Sequence, residues 1–164
     1  MLESPPLAIR VTAMACHLFG FAGWAIAMVV TFPFSSVLLP LLLWLMNRDR
    51  DPVIDQHGKA AIDFQVSLLF YRILEIGLLA AITITVQGEF PESVDPLLHP
   101  SELSLVNGLQ IVDTIFLIAL FLWQAVLVTT ATLKAYRGEL YSYPFTLGIF
   151  RQDAIETEQP EEEE

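Results

Sequence analysis

Four long apolar segments constrain this chain of 164 residues more than any other feature. They run over about Val11 to Thr31, Phe34 to Met46, Ala61 to Val86 and Leu109 to Leu133. A bilayer core about 30 Å thick needs roughly 17 to 25 helical residues for each crossing. The second segment is short, but the first two, taken together as a hairpin through Pro33, give about 18 residues per leg. The sequence therefore predicts an all-α membrane protein with four transmembrane helices arranged as two hairpins.

Composition supports lipid as the solvent. Hydrophobic residues make up 54% of the chain and charged residues 16%, with a mean hydropathy of +0.57, whereas soluble domains have about 25% charged residues. The single cysteine, Cys16, excludes an internal disulfide and any cysteine-rich metal site. We expect no cofactor, no metal and no nucleic-acid partner.

The positions of the cations predict the orientation. Lys and Arg occur before the first segment, between the second and third, and after the fourth, whereas the loop over residues 88–108 has none. Short loops rich in Lys and Arg stay in the cytoplasm, so both termini are expected there. The predicted organisation is an N-terminal segment (1–10), a four-helix transmembrane domain (11–146) and an acidic disordered tail (147–164).

A polar passage from Asp51 to Gln65 lies between the two hairpins. Asp51 before Pro52 is typical of a helix start, and we predict a short amphipathic helix between helices 2 and 3. Its charged residues recur every four positions and share one face. This face is either a solvated helix start or a docking surface. With two residues after the fourth helix, the candidate partner-contact surface is Asp55, His57, Lys59, Asp63, Arg137 and Tyr141.

Ionisable residues inside the apolar segments are costly unless they face protein or water. Depth along each helix, at about 1.5 Å per residue, predicts one intramembrane polar layer made of His17, Arg72, Glu75 and Gln124. Asp113 is expected near the outer headgroups. The layer is interpreted as a mutually neutralising pair that keeps the bundle in register, a water-lined ion pathway, or a contact with a partner's helix. His17 is expected to be a hydrogen-bonded core residue rather than a metal ligand.

Several short motifs carry a resemblance to a known family. They are Ala15-Cys16-His17-Leu18, Trp44-Leu45, Arg48-Asp49, the run from Pro52 to Ala61, Phe64-Gln65, Ala135 to Glu139, and Tyr143-Pro144. Together they resemble the bacterial Tic-twenty-like family of small four-helix membrane proteins, related to the chloroplast inner-envelope import component. The resemblance implies a four-helix membrane fold and, for the chloroplast branch, a role at a protein-conducting pore; for the bacterial branch it implies no settled activity, and it names no catalytic residues. We therefore expect a protein of the bacterial inner (plasma) membrane with a link to protein translocation. The acidic loop from Glu89 to Glu102 and the tail from Glu161 to Glu164 depart from that family's pattern.

These features predict a non-catalytic accessory or assembly subunit of a membrane complex. Its expected partners are the lipid bilayer and other membrane proteins or further copies of itself. The alternative is a small transporter or channel that uses the Arg72, Glu75 and Gln124 layer. An intramembrane enzyme is the weakest interpretation, because no nucleophile with a base, zinc motif or phosphate-binding loop is apparent.

Overall fold

A computed structural model describes residues 5–30, 34–87 and 100–150 of the chain. All regular structure in these ranges is helical, which confirms the all-α prediction. The four helices are α1 (Leu7–Val30), α2 (Ser35–Asn47), α3 (Pro52–Gln87) and α4 (Pro100–Arg137).

Three of the four helices are long and apolar enough to cross a membrane. The stretches that qualify are Leu7–Ala27, Pro52–Thr85 and Asn107–Arg137. The 13 residues of α2 span only about 20 Å, less than the hydrocarbon core of about 30 Å. The side on which the termini lie, and the arrangement as two hairpins, remain predictions.

The predicted short helix between helices 2 and 3 is not a separate element. A single α3 of 36 residues begins at Pro52, and the Asp51 Oδ1 accepts a hydrogen bond of 2.8 Å from the Val53 N–H, as expected for a helix start. The helix continues through Gly58, where the missing side chain leaves room for the indole of Trp44. Nothing in the polar passage interrupts the helix, so its residues belong to the same element as the apolar segment that follows.

The chain divides into two compact units, of which the first comprises Met1–Ser67 and Val126–Glu164. Here α1 packs closely on α2: the Ser35 hydroxyl donates to the Gly23 carbonyl at 2.7 Å. A Cβ at Gly23 would collide with the Ser35 backbone, and one at Gly20 would lie 2.6 Å from the Gln65 side chain. The small residues of α1 therefore serve packing inside this chain.

The first unit also includes an irregular segment, residues 138–150, which we name the C-terminal strap. It begins where Gly138, at φ 78°, ends α4, with the Glu139 N–H bonded to the Lys134 carbonyl at 2.9 Å. A glycine in this left-handed conformation is the usual helix terminator. The predicted acidic tail (147–164) stays a prediction, since residues 151–164 are outside the described ranges, as is most of the acidic loop.

The second unit, Leu68–Ala125, consists of the later half of α3 and most of α4. Large apolar side chains are exposed along both helices, including Leu78 (62%), Ile111 (60%) and Ile115 (62%). An apolar surface of this extent is not expected in water. It suits contact with lipid or with the helices of another membrane protein.

Candidate functional site

A buried chain of hydrogen bonds links α1, α3 and the strap in the first unit. The His17 Nε2 lies 2.9 Å from the His57 Nδ1, and the Tyr143 hydroxyl lies 3.0 Å from the His17 Nδ1. The exposed fraction is 1% for each histidine and 3% for Tyr143. His17 is thus a hydrogen-bonded core residue, as its isolation in α1 predicts.

Counting donors and acceptors assigns a direction to this chain. Burial raises the pKa of Tyr143 well above its usual value, with a smaller contribution from Tyr141, so the phenol is neutral and its O–H needs an acceptor. Within the described residues, the hydroxyl's one polar neighbour is His17 Nδ1. If Tyr143 donates there, His17 donates from Nε2 to the His57 Nδ1, and the His57 proton lies on Nε2. If the direction were reversed, His57 would donate to His17 and His17 to the Tyr143 oxygen. The phenol proton would then lack an acceptor, and the His57 Nε2 would still lack a partner within the described residues.

This assignment leaves one donor unpaired. The His57 Nε2 is buried and has no hydrogen-bond partner in the part of the chain that the structure describes. A buried polar atom without a partner costs about 1–3 kcal/mol. The unpaired nitrogen is therefore a local cost to the stability of the first unit.

The strap is fastened to α3 by side chains on consecutive turns. The Asp63 carboxylate accepts hydrogen bonds from the Gly148 and Ile149 N–H groups, both at 3.1 Å. The Ser67 hydroxyl accepts one from the Leu147 N–H at 2.9 Å. These bonds satisfy three backbone donors that no regular element would satisfy.

Aromatic contacts add to this attachment. The ring of Tyr143 stacks on Phe64 with centroids 4.1 Å apart, and the ring of Tyr141 packs edge-on against Tyr143 at 4.9 Å. Phe150, at the end of the strap, lies 6.0 Å from the indole of Trp44. The strap is therefore held by both polar and apolar contacts along its length.

Asp55 connects α2 to α3 at the start of the polar passage. Its carboxylate accepts a 2.8 Å hydrogen bond from the Trp44 indole N–H and pairs with Lys59, one turn later, at 2.9 Å. Since the side chains of Asp55 and Lys59 are 29% and 24% exposed, the pair is largely covered. Asp55 therefore joins α2 to α3 through Trp44, while its pair with Lys59 stays partly accessible to solvent.

A cavity of about 480 Å³ lies between the first half of α3 and the strap. Its polar lining includes Asp55, His57, Lys59 and Asp63 of α3 and Ser142 and Thr146 of the strap, and its aromatic lining includes Tyr141 and Phe150. All of these residues belong to the first unit. The cavity therefore brings His57, an ion pair and several aromatic rings into one place.

A separate charged cluster lies within the second unit. The Arg72 guanidinium pairs with Glu75 on the next turn of α3 and with Asp113 of α4, the latter at 2.5 Å. Both carboxylates contact the same guanidinium nitrogen, Nη1. Among the described residues of the second unit, Arg72 is the one cation, and it faces two carboxylates. The cluster therefore contains one more acid than base.

The six residues predicted as a partner-contact surface do not all lie on the surface. His57 and Asp63 are buried, 1% and 7% exposed, and their partners are internal. Asp55, Lys59 and Tyr141 are half-buried, and Arg137 is exposed. The helical spacing places the charged residues on one face, but the strap covers part of that face. The role of the exposed members stays a prediction.

The four residues predicted as one intramembrane layer are likewise divided. Arg72 and Glu75 form the expected pair, but their partner on α4 is Asp113, which the depth estimate placed near the outer headgroups. Gln124, which is buried, lies eleven positions further along α4, about 16 Å at the helical rise. His17 belongs to the other unit and bonds with His57 and Tyr143.

Sequence reasoning missed the central part of the strap. Tyr143, which the sequence analysis names only as part of a short motif, is the second partner of His17. Asp63 was treated as a surface charge, although it caps two strap amides. The available signal was the group of polar residues Asp63, Gln65 and Ser67 in an otherwise apolar helix, which needs internal partners. In the described ranges, no three His, Cys, Asp or Glu side chains are grouped as metal ligands.

Comparison with known proteins overturns the family suggested by the short motifs. Residues 8–150 match the magnetosome magnetite crystal formation protein family, MamF/MmsF. None of the curated proteins and none of the solved structures matches the chain. The resemblance to the Tic-twenty-like family is therefore wrong, and the expected link to protein translocation loses its support.

The motifs that suggested that resemblance have a structural explanation instead. His17 bonds with His57 and Tyr143, and Gly58 lies against the ring of Trp44, all within the first unit. Residues of this kind are required for packing, so they do not identify a biochemical function. Because the match covers residues 8–150, well over half of the sequence, the chain belongs to the magnetosome magnetite crystal formation protein family.

Proposed function

We propose that this protein is a non-catalytic accessory subunit of the magnetosome membrane that influences magnetite crystal formation through contacts with other membrane proteins or with further copies of itself. The observation that carries the proposal is the family match over residues 8–150. Three helices long and apolar enough to span a membrane agree with a membrane location.

The apolar faces of α3 and α4 support action through contact. Ile73, Leu74 and Leu78 on α3, and Ile115 and Leu122 on α4, are each more than half exposed within the chain. Helices in lipid associate by packing and by interhelical hydrogen bonds. Faces of this size offer room for a partner's helix in addition to lipid.

Deletion of the gene in a magnetite-forming bacterium tests the proposal. We expect crystals of altered size or shape by electron microscopy, restored by the wild-type gene. Normal crystal size, shape and number in the deletion strain, with related genes also deleted, would refute the proposed role.

Site-specific crosslinking tests the proposed mode of action. A photocrosslinking amino acid at Arg137, an exposed member of the predicted contact surface, is expected to capture one protein, either a partner or a second copy. The matched control is Asp49, which is 91% exposed and lies outside that surface. Equal capture from both positions, or capture of lipid alone, would contradict action through this surface.

A second candidate function, a small transporter or channel, is favoured by the Arg72 cluster, because ionisable groups within membrane helices often mark a conduction pathway. Proteoliposomes containing the wild-type chain would show a flux that Arg72→Leu abolishes. The absence of flux from the wild-type chain would exclude this function.

A further inference from the structure

The cluster of Arg72, Glu75 and Asp113 in the second unit, which we call the Arg72 cluster, has an unbalanced charge between two apolar helices. One guanidinium pairs with two carboxylates. Uncharged residues continue to either side of the cluster on both helices, over residues 64–71 and 76–87 of α3 and 103–112 and 114–133 of α4. The shortest of these stretches has eight residues, about 12 Å at the helical rise. The surplus negative charge therefore lies well inside the apolar part of both helices.

Part of the Arg72 cluster lies on the surface of the second unit. The side chains of Asp113 and Arg72 are 30% and 25% exposed, whereas that of Glu75 is 12% exposed. Asp113 is therefore the carboxylate that a neighbouring molecule reaches most readily. The large side chains beside it are apolar: Ile76, one turn along α3 from Arg72, and Val112 on α4 are each at least half exposed. The cluster is thus an accessible charged spot on an apolar surface.

An uncompensated charge at this place is unfavourable in lipid. Ionisable groups within membrane helices are costly, and they are found paired with one another or facing water. Arg72 balances the charge of one carboxylate but not of both. Gln110 and Thr114, which are exposed near Asp113 on α4, are neutral and leave the balance unchanged. The cluster therefore lacks one positive charge that the described residues of the second unit do not supply.

The surroundings of the cluster indicate the source of that charge. A second copy that met the chain through the same face would bring another surplus negative charge, and the two clusters would repel each other. A soluble cation would have to lose much of its hydration in apolar surroundings. A lysine or arginine on an apolar helix would balance Asp113 and cover Ile76 and Val112 at the same time, because helices in lipid associate by packing and by interhelical hydrogen bonds.

We propose that the Arg72 cluster docks a transmembrane helix of another membrane protein, and that this helix carries one lysine or arginine at the depth of Asp113. The inference rests on the proposed function, because it names the chemistry of the partner on which an accessory subunit would act. The positive side chain pairs with the Asp113 carboxylate, while Arg72 keeps its pair with Glu75. The apolar residues of the partner's helix pack on the exposed faces of α3 and α4.

Association of the full chain with model helices in liposomes tests this proposal. The chain carries a donor fluorophore at its C-terminus, and labelled leucine–alanine peptides of about 20 residues differ only at one central position, which is arginine, glutamine or glutamate. Energy transfer near neutral pH should give an affinity about 5- to 30-fold higher for the arginine peptide than for the glutamine peptide, and the glutamate peptide should bind most weakly. Equal affinities for the arginine and glutamine peptides would overturn the proposal, as expected if a bound proton already supplies the missing charge.

The variant Asp113→Asn tests the position of the docking helix. It removes the surplus acid and retains the pair of Arg72 and Glu75, so the preference for arginine over glutamine should fall below about twofold. Asp49→Asn, at an exposed aspartate of the first unit, is the matched control and should keep the full preference. An arginine preference that Asp113→Asn leaves intact would place the docking helix elsewhere and refute the site.

The comparison remains decisive if Asp113→Asn fails to fold, because the three peptides are also compared on the wild-type chain. The peptides measure only the docking surface. Equal affinities would therefore refute this inference and leave the crystal phenotype of the deletion strain, which tests the proposed function, unaffected.

Discussion

Asp63→Asn should release the C-terminal strap from α3. The carboxylate accepts two backbone hydrogen bonds, from Gly148 and Ile149 at 3.1 Å each, and hydrogen bonds to a charged group contribute about 1.5–3 kcal/mol each. Asparagine retains one oxygen, but its amide nitrogen is a donor that would face a donor N–H. At least one of the two bonds is lost, so opening of the strap becomes easier by about 1.5–3 kcal/mol, roughly 10- to 100-fold in population.

Hydrogen exchange measured by mass spectrometry, on the protein in lipid nanodiscs, can detect this change. The amides of residues 147–149 should exchange about 10- to 100-fold faster in Asp63→Asn than in the wild-type chain, while the amides of α4 keep their protection. The control is Asp49→Asn, at an exposed aspartate, which should change nothing in the strap. A change of less than about threefold, or equal changes in both variants, would refute the view that Asp63 holds the strap.

Three further predictions concern other contacts. Gly58→Ala should lower the free energy of unfolding by about 1–3 kcal/mol, because the added methyl group meets the ring of Trp44; Gly77→Ala, where nothing lies within 4 Å, should be neutral or slightly stabilising by thermal melting. Arg72→Leu should destabilise the chain by about 1–3 kcal/mol, since it leaves two half-buried carboxylates without their cation, and neutralising both acids in the same chain should restore part of the loss. A chain that melts as the wild type does would contradict a stabilising role of the Arg72 cluster. The pKa of Tyr143 is raised in the folded chain. The neutral phenol therefore contributes its full share of the folding stability below the unfolded pKa of about 10, and this share declines as the pH rises above that value. Above about pH 10 the melting temperature should fall less steeply in Tyr143→Phe than in the wild type.

The helices were predictable because their signal is local. Apolar runs of sufficient length, the Asp51-Pro52 start and the glycine after Arg137 are each read from a few neighbouring residues. The continuity of α3 was not predicted, because a polar passage between apolar segments suggests a loop or a separate helix. The need for glycine at position 58 comes from Trp44, on another helix, whose ring occupies the space beside it, and that contact is not visible in the local sequence.

The candidate site was predictable only in part, because its contacts are distant in sequence. Spacing on one helix correctly paired Arg72 with Glu75. Depth counting did not bring Asp113 together with Arg72, because it assumes where each helix enters the bilayer, and a helix of 38 residues is longer than one crossing needs. The contact between His17 and Tyr143 was not predictable, because 126 positions separate the two residues and no local pattern indicates such a contact.

The strap has a consequence for the order in which the chain matures in the cell. Its bonds join residues separated by 80, 86 and 126 positions, so the interior of the first unit cannot close until nearly the whole chain has been synthesised. Until then α1 and the first half of α3 have buried polar groups without their final partners. A nascent chain that stops before Tyr143 would therefore be inserted but incomplete, and its first helices would be the part open to membrane proteases.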